Sequence, residues 1–323
     1  MQSMINFLVI SPVLLPLLTA GITVLLRYHQ SSQYWVGLLA SVLILLNHLM
    51  IYAPLQTQHL SSDFGGWSLP YGIGFQIDTL SYIMLTISAI MTFSSLLFMR
   101  SGLSTRPLNS LTLPLTFGLI AGVNGSFITQ DFFNLYVWFE LILICAIGLL
   151  AIGRKISQLD AAFKYMVLNL FGTLLLLISI ALLYGATGNL NFAAVQQALG
   201  NIAAHTKLMM ITLFIVAVLI KVAAFPVFTW MPASYHTLPI PIMALFSALL
   251  TKVAVYTLLR TLAQAFMPTI EVLQTALAWI AICTMVVGVL GAAYHWDMRR
   301  ILVFHSISQI GYILLAIALG SVE

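Results

Sequence analysis

The sequence predicts an all-α protein, a polytopic bundle of transmembrane helices, on three observations. Hydrophobic residues make up 61% of the chain and charged residues only 6%, whereas soluble domains carry about a quarter charged. Mean hydropathy is +1.07. Apolar runs of roughly 18 residues or more, enough to cross the hydrocarbon of a bilayer, recur along the whole length.

About ten spans are expected, over 5–26, 34–52, 77–99, 111–129, 132–152, 163–184, 208–230, 239–260, 273–294 and 300–319. The first is read as a retained span rather than a signal peptide. No basic residue precedes Arg27, the run outlasts a signal h-region, and no small-x-small cleavage site follows it. Asp78 opens the third span, where a carboxylate complements the helix dipole. Lys164 stands at the start of the sixth. The seventh carries Pro226 in its interior, where the ring clashes with the carbonyl of Val222 and the missing N–H leaves it free. Pro239 and Pro241 lie near the start of the eighth, an ordinary place for proline. The last span opens on HSISQIGY, with His305 among Ser306, Ser308 and Gln309. The longest polar connections, around 53–76 and 185–207, read as turn-rich or weakly helical.

Basic residues orient the bundle. The odd-numbered loops hold Arg27, Arg100, Arg106, Arg154, Lys155, Arg299 and Arg300, and the even ones only Lys207 and Arg260. The positive-inside bias then makes the odd loops cytoplasmic and puts the N-terminus outside, in a multi-pass protein of the cell membrane. The net charge of +4 is mostly this topological signal, and no basic cluster or aromatic reading motif points to nucleic acid. Cys145 and Cys283 fall in separate spans, so neither a disulfide framework nor a four-thiolate cluster is available. Both read as packing residues.

In lipid the informative residues are ionisable ones deep inside a span: Glu140, Lys221 and Lys252. At a rise of about 1.5 Å per residue, Glu140 lies roughly 13 Å from the outer end of its expected span and Lys221 roughly 20 Å from its own. Lys252 stands about 12 Å along its helix from Arg260. A charge at the bilayer centre costs about 3 kcal/mol or more, so each of the three is a transport residue, or else a structural ion pair or a snorkelling lysine. A lysine suits proton carriage because burial favours the neutral amine and a nearby carboxylate favours the ammonium. Pro226 provides either a wet, irregular backbone beside the charge or a packing kink. Asp78 is a dipole partner or a supporting polar group. His305 either passes protons near neutral pH or packs as a satisfied histidine.

Four stretches together resemble a known family. WMPASYHTLPIPIMALFSALLTKVAVYTLLR, NLYVWFELILICAIGLLAIG around Glu140, FKYMVLNLFGTLLLL around Lys164, and DMRRILVFHSISQIGY are similar, in order and spacing, to the antiporter-like subunits of Mrp-type cation/proton antiporters, respiratory complex I and membrane-bound hydrogenases. ALFSALLTKVAVY is nearest the D-subunit form of the Mrp type. The resemblance covers nearly the whole chain. It implies that Glu140 and Lys221 are the family's mid-membrane Glu–Lys pair and Lys252 the next relay lysine, with His305 or Gln309 continuing the polar axis. It also implies a three-helix segment over 1–110, a first five-helix inverted repeat over 111–262 with a broken seventh helix, and a partial second repeat over 263–323, as in a C-terminally truncated member. Ala233 stands where the family often has an acidic residue, and His236 where it often has proline.

The resemblance points to a proton-translocating subunit of a multisubunit Na⁺(K⁺)/H⁺ antiporter, a secondary transporter rather than an enzyme. Its partners are other membrane subunits, protons, monovalent cations and the lipid bilayer. No cofactor is called for: no NADH, flavin or iron–sulfur site is legible. The alternatives are a membrane-arm subunit of a complex-I-like or hydrogenase assembly, a haem-carrying membrane protein using His48 and His305, and an accessory subunit without transport.

The orientation is testable with single cysteines placed in a background lacking Cys145 and Cys283. An impermeant thiol reagent added outside should label residues within 185–207 and leave 153–162 and 295–300 unlabelled. Outside labelling beside Arg154 overturns the orientation.

Overall fold

A computed structural model describes residues 2–56, 59–64, 72–103, 109–266 and 270–320. Every expected span contains a helix there: α1 (Gln2–Leu25), α2 (Gln30–Leu55), α3 (Thr79–Leu103), α4 (Thr112–Ile128), α5 (Phe132–Ala151), α6 (Ile156–Thr187), α8 (Ala204–Val222), α10 and α11 (Ile240–Leu245 and Thr251–Gln264, joined by a π turn, Phe246–Leu250), α12 (Ile270–Tyr294) and α13 (Met298–Leu319). Two short helices, α7 (Phe192–Leu199) and α9 (Trp230–Ser234), lie in connections, and Tyr235–Thr237 is a 3₁₀ turn. Among the described residues nine helices are long and apolar enough to cross a membrane. The tenth, α4, has 17 residues and is roughly 25 Å long. Protein surrounds it, since all of its residues except Leu115 are buried.

The chain forms two compact units, 1–159 with 238–249, and 160–237 with 250–323. In the first, α4 packs against α1 and α5, and α2 against α1 and α3. Helix α1 contains Pro12 and Pro16, and neither has an N–H, so the carbonyls four residues earlier, of Leu8 and Pro12, lose their helical donors. Side chains replace them. Ser11 Oγ donates to Leu8 O at 2.9 Å and accepts from Asn47 Nδ2 at 2.8 Å. Asn124 Nδ2 donates to Pro12 O at 2.8 Å, and its Oδ1 accepts from Ser88 Oγ at 2.8 Å. One buried polar circuit thereby joins α1, α2, α3 and α4. Helix α5 approaches α4 closely because Gly125 is bare: a Cβ there would lie 2.4 Å from the Trp138 indole.

In the second unit α6 lies against α8. Ser179 Oγ donates to Met210 O at 3.2 Å, and a Cβ on Gly172 would meet Ile220 Cγ2 at 2.9 Å. Helices α12 and α13 form an antiparallel hairpin around the short turn that Asp297 caps, accepting from Arg299 N at 3.1 Å.

Several boundaries correct the sequence reading. The connection read as turn-rich holds an antiparallel hairpin, β1 (Leu60–Phe64) with β2 (Ile73–Ile77), paired Leu60↔Ile77 through Phe64↔Ile73. Its short strands are outweighed by turn residues in the sequence, and 65–71 lie outside the described residues. Helix α6 begins at Ile156, so Lys164 is in its interior and not at a helix start. The polar run 156–164 is tolerated because Asp160 and Lys164 form an i,i+4 ion pair of 2.6 Å on a half-exposed face. Arg100 sits in the last turn of α3 with its guanidinium 4.7 Å from the Trp35 ring. Arg106 lies outside the described residues.

The circuit around the α1 prolines makes a stability prediction. Asn124→Ala strands the Pro12 carbonyl and the Ser88 hydroxyl in a dry site, at about 1–3 kcal/mol for each group. Thermal unfolding in detergent should shift down by several degrees. An unchanged midpoint would mean that the circuit contributes nothing.

Candidate proton-transfer site

Glu140 belongs to the first unit. Helix α5 is capped by Asp131, whose carboxylate accepts from Asn134 N at 2.7 Å. Burial raises the Asp131 carboxyl above the usual carboxylate range, opposed by the backbone N–H groups of Asn134 and Phe133. Two turns on, Glu140 is half-buried, with Tyr136 one turn before it on the same helix.

Lys221 belongs to the second unit and is 7% exposed. Its Nζ donates to Thr173 Oγ1 at 2.7 Å. Thr173 Oγ1 donates in turn to Asn169 O at 2.8 Å, and Asn169 Nδ2 to Tyr165 O at 3.0 Å. The amine thus ends on a polar ladder running down α6. Tyr165, Asn169 and Thr173 repeat every four residues and so share one helical face.

The helix carrying Lys221 stops immediately after it. Ala223 takes a left-handed conformation, φ 64°, and the N–H groups of Ala223 and Ala224 return to the carbonyls of Ile220 and Leu219, a Schellman-like end. Ile220 O also accepts from Trp230 Nε1 at 3.0 Å, and the Trp230 ring meets the Tyr165 ring edge-on at 5.3 Å. Phe225 N donates to Thr284 Oγ1 at 2.9 Å, which ties the irregular segment to α12. Pro226 therefore does not kink a continuing helix. It lies beyond the break, exposed, and the expected span 208–230 ends at Val222. The ammonium, in the last turn, is where the helix dipole favours a cation.

Lys252 stands just beyond the π turn, an irregularity common at functional sites. Its Nζ donates to Ser306 Oγ at 3.0 Å. His305 and Gln309 lie on an exposed face of α13. The α13 residue that meets Lys252 is Ser306, one position on from the histidine. Asp78 is a helix cap: its Oδ1 accepts from Ser81 N at 2.9 Å and from Ser81 Oγ, whose oxygen accepts from Asp78 N at 2.8 Å.

Thr173 and Asn169 are not named in the sequence reading, Ser306 appears there only as a neighbour of His305, and Arg260 only as a loop charge. Arg260 was placed at an outer loop, but α11 runs to Gln264 and buries it to 8% exposure, its guanidinium 5.9 Å from the Tyr256 ring. The four-residue spacing of Lys252, Tyr256 and Arg260, like that of Tyr165, Asn169 and Thr173, was the available signal. His236 Nδ1 donates to Pro232 O at 2.8 Å. Partial burial holds its pKa below the ordinary histidine value, the Pro232 carbonyl and Asp297 opposing and Arg300 and Arg299 reinforcing. Cys145 is buried against Gly118, as a packing residue.

A buried lysine at the end of a broken helix and a part-buried one beside a π turn, each donating to a hydroxyl, stand in a polytopic bundle of apolar helices of membrane-spanning length. Residues 129–323 match the family described as NADH:quinone oxidoreductase/Mrp antiporter, transmembrane, and the chain belongs to that family. A Staphylococcus aureus protein provisionally named antiporter subunit mnhD2 is 36% identical over 317 residues, 97% of this chain and 63% of that protein. Among solved structures, the membrane-bound sulfane sulfur reductase, an archaeal respiratory membrane complex, contains a chain with TM-score 0.92 and 27% identity, covering 99% of this chain and 65% of that one. The Mrp complex of a Dietzia species contains one with TM-score 0.91 and 30% identity, covering 98% and 59%. The chain thus spans less than two thirds of the length of each of these relatives.

The close approach at Gly172 is open to test. Gly172→Leu forces α6 away from Ile220, at about 1–3 kcal/mol of overpacking, and should lower the unfolding temperature. Gly185→Ala, on the same helix with nothing within 4 Å, should leave it unchanged or raise it slightly. Equal effects of the two would refute the packing argument.

Proposed function

We propose that this chain is a proton-translocating membrane subunit of a multisubunit Na⁺(K⁺)/H⁺ antiporter, with Lys221 as a proton carrier, Lys252 as the next relay lysine and Glu140 as the acidic partner of Lys221. The observation that carries the proposal is Lys221 itself, a lysine 7% exposed in a membrane helix, bonded to a neutral hydroxyl at the point where that helix ends. A lysine that served only as a snorkelling anchor would reach for the interface; this one turns inward to Thr173. Family membership, the mnhD2-like sequence and the likeness to a chain of an Mrp complex support the assignment to an antiporter and to an assembly with other subunits. The repeat organisation proposed is a first repeat over 111–262 and part of a second over 263–323, the N-terminus facing outward. Ser306, which meets Lys252, joins His305 or Gln309 in continuing the polar axis.

A second reading, a membrane-arm subunit coupled to redox partners, is favoured by the likeness to a chain of the sulfane sulfur reductase complex. The genes beside this one, antiporter or oxidoreductase subunits, separate the two.

In membrane vesicles containing the assembled complex, Lys221→Ala should abolish cation-driven proton movement followed with a pH-sensitive dye. Lys221→Arg should fail as well, since arginine does not release its proton near neutral pH. Glu140→Gln should lower the rate by an order of magnitude or more, about the cost of losing a charged partner. Near wild-type transport by Lys221→Ala ends the proposal.

A further inference from the structure

We infer that Thr173 is a positioning residue for Lys221, an acceptor that holds the amine at one place in the membrane whether or not it carries its transferable proton. The inference rests on the reading of Lys221 as a proton carrier and assigns a part to a residue of a different helix.

A threonine hydroxyl has one proton and two lone pairs. In Thr173 the proton is committed, since Oγ1 donates to Asn169 O at 2.8 Å. Towards Lys221 Nζ, at 2.7 Å, Thr173 can therefore only accept. An ammonium offers three N–H donors, and after losing one proton the neutral amine still offers two. Both forms can hold the same lone pair. A carboxylate in this position would act differently, binding the charged form far more strongly than the neutral one and so releasing the amine when the proton leaves. With Thr173 the charge changes while the position does not.

Position matters here because the lysine stem has four carbons and its backbone lies in the last turn of α8. An untethered amine there is free to swing towards the helix break and reach water. The α6 ladder resists that swing: Thr173 is itself held by Asn169, and Asn169 by the Tyr165 carbonyl. The tight approach at Gly172, directly before Thr173, brings the hydroxyl within reach.

The test uses Thr173→Val, which keeps the shape and loses the hydroxyl, and Thr173→Ser, which keeps the hydroxyl. In the full chain in nanodiscs, reductive methylation read by mass spectrometry should proceed at Lys221 at least about ten-fold faster in Thr173→Val than in wild type, with Lys252 unchanged as internal control. Thr173→Ser should match wild type. An unchanged Lys221 rate in Thr173→Val overturns the inference, and so does a rise at both lysines together, which would mean general loosening. In vesicles with the assembled complex, Thr173→Val should lower the maximal transport rate about ten-fold, leave the half-saturating cation concentration unaltered, and be rescued by Thr173→Ser. Full transport by Thr173→Val alongside an inactive Lys221→Ala refutes the positioning role alone, whereas an active Lys221→Ala refutes the proton-carrier reading beneath it.

Discussion

A lysine amine kept out of water must find an oxygen to donate to, and in this protein the bond from Lys221 to Thr173 is the contact around which the second unit is arranged. Leaving a charge without such a partner in hydrocarbon costs at least several kcal/mol. Meeting it requires α6 and α8 to approach closely, which Gly172 allows, and requires the hydroxyl to be aimed, which Asn169 does. Immediately beyond it α8 stops. The left-handed Ala223 and the indole N–H of Trp230 close the helix end by satisfying carbonyls that would otherwise be open.

The first unit solves the related problem of backbone rather than side-chain polarity. Prolines in α1 remove two helical donors, and nothing in lipid replaces them. Ser11, of α1 itself, and Asn124 supply the donors and are bonded in turn to Asn47 and Ser88, so that three further helices take part. The result is an α4 buried at every residue but Leu115, serving as the axis against which α1 and α5 pack. Ser11 and Asn124 in the first unit and Thr173 in the second thus have the same physical role: each satisfies a group that the membrane leaves without water.

Irregular backbone follows these demands closely. The break after Val222 and the π turn before Lys252 both adjoin a lysine that donates to a hydroxyl of another helix. Regular α-helix satisfies its own backbone without outside partners. Departures from regularity are where side-chain chemistry enters a membrane protein.

The sequence by itself determined the class of fold, because twenty-residue apolar runs in a chain with few charges have one stable arrangement in a bilayer. It also identified Glu140, Lys221 and Lys252, because charge is costly in lipid wherever it occurs. What it could not supply was the partner of each charge. Thr173 and Ser306 are common residues in membrane helices, and nothing in their own segments separates a hydroxyl facing an amine from one bonded to its own turn. His305 attracted attention for its chemistry, yet the helical period turns Ser306, not its neighbour, towards Lys252. A break in the seventh helix was expected from the resemblance, but its place was not legible, since an apolar run continues to Trp230 while the left-handed Ala223 and the returning indole close the helix at Val222. Those choices depend on distances between helices, and only the tertiary structure decides them.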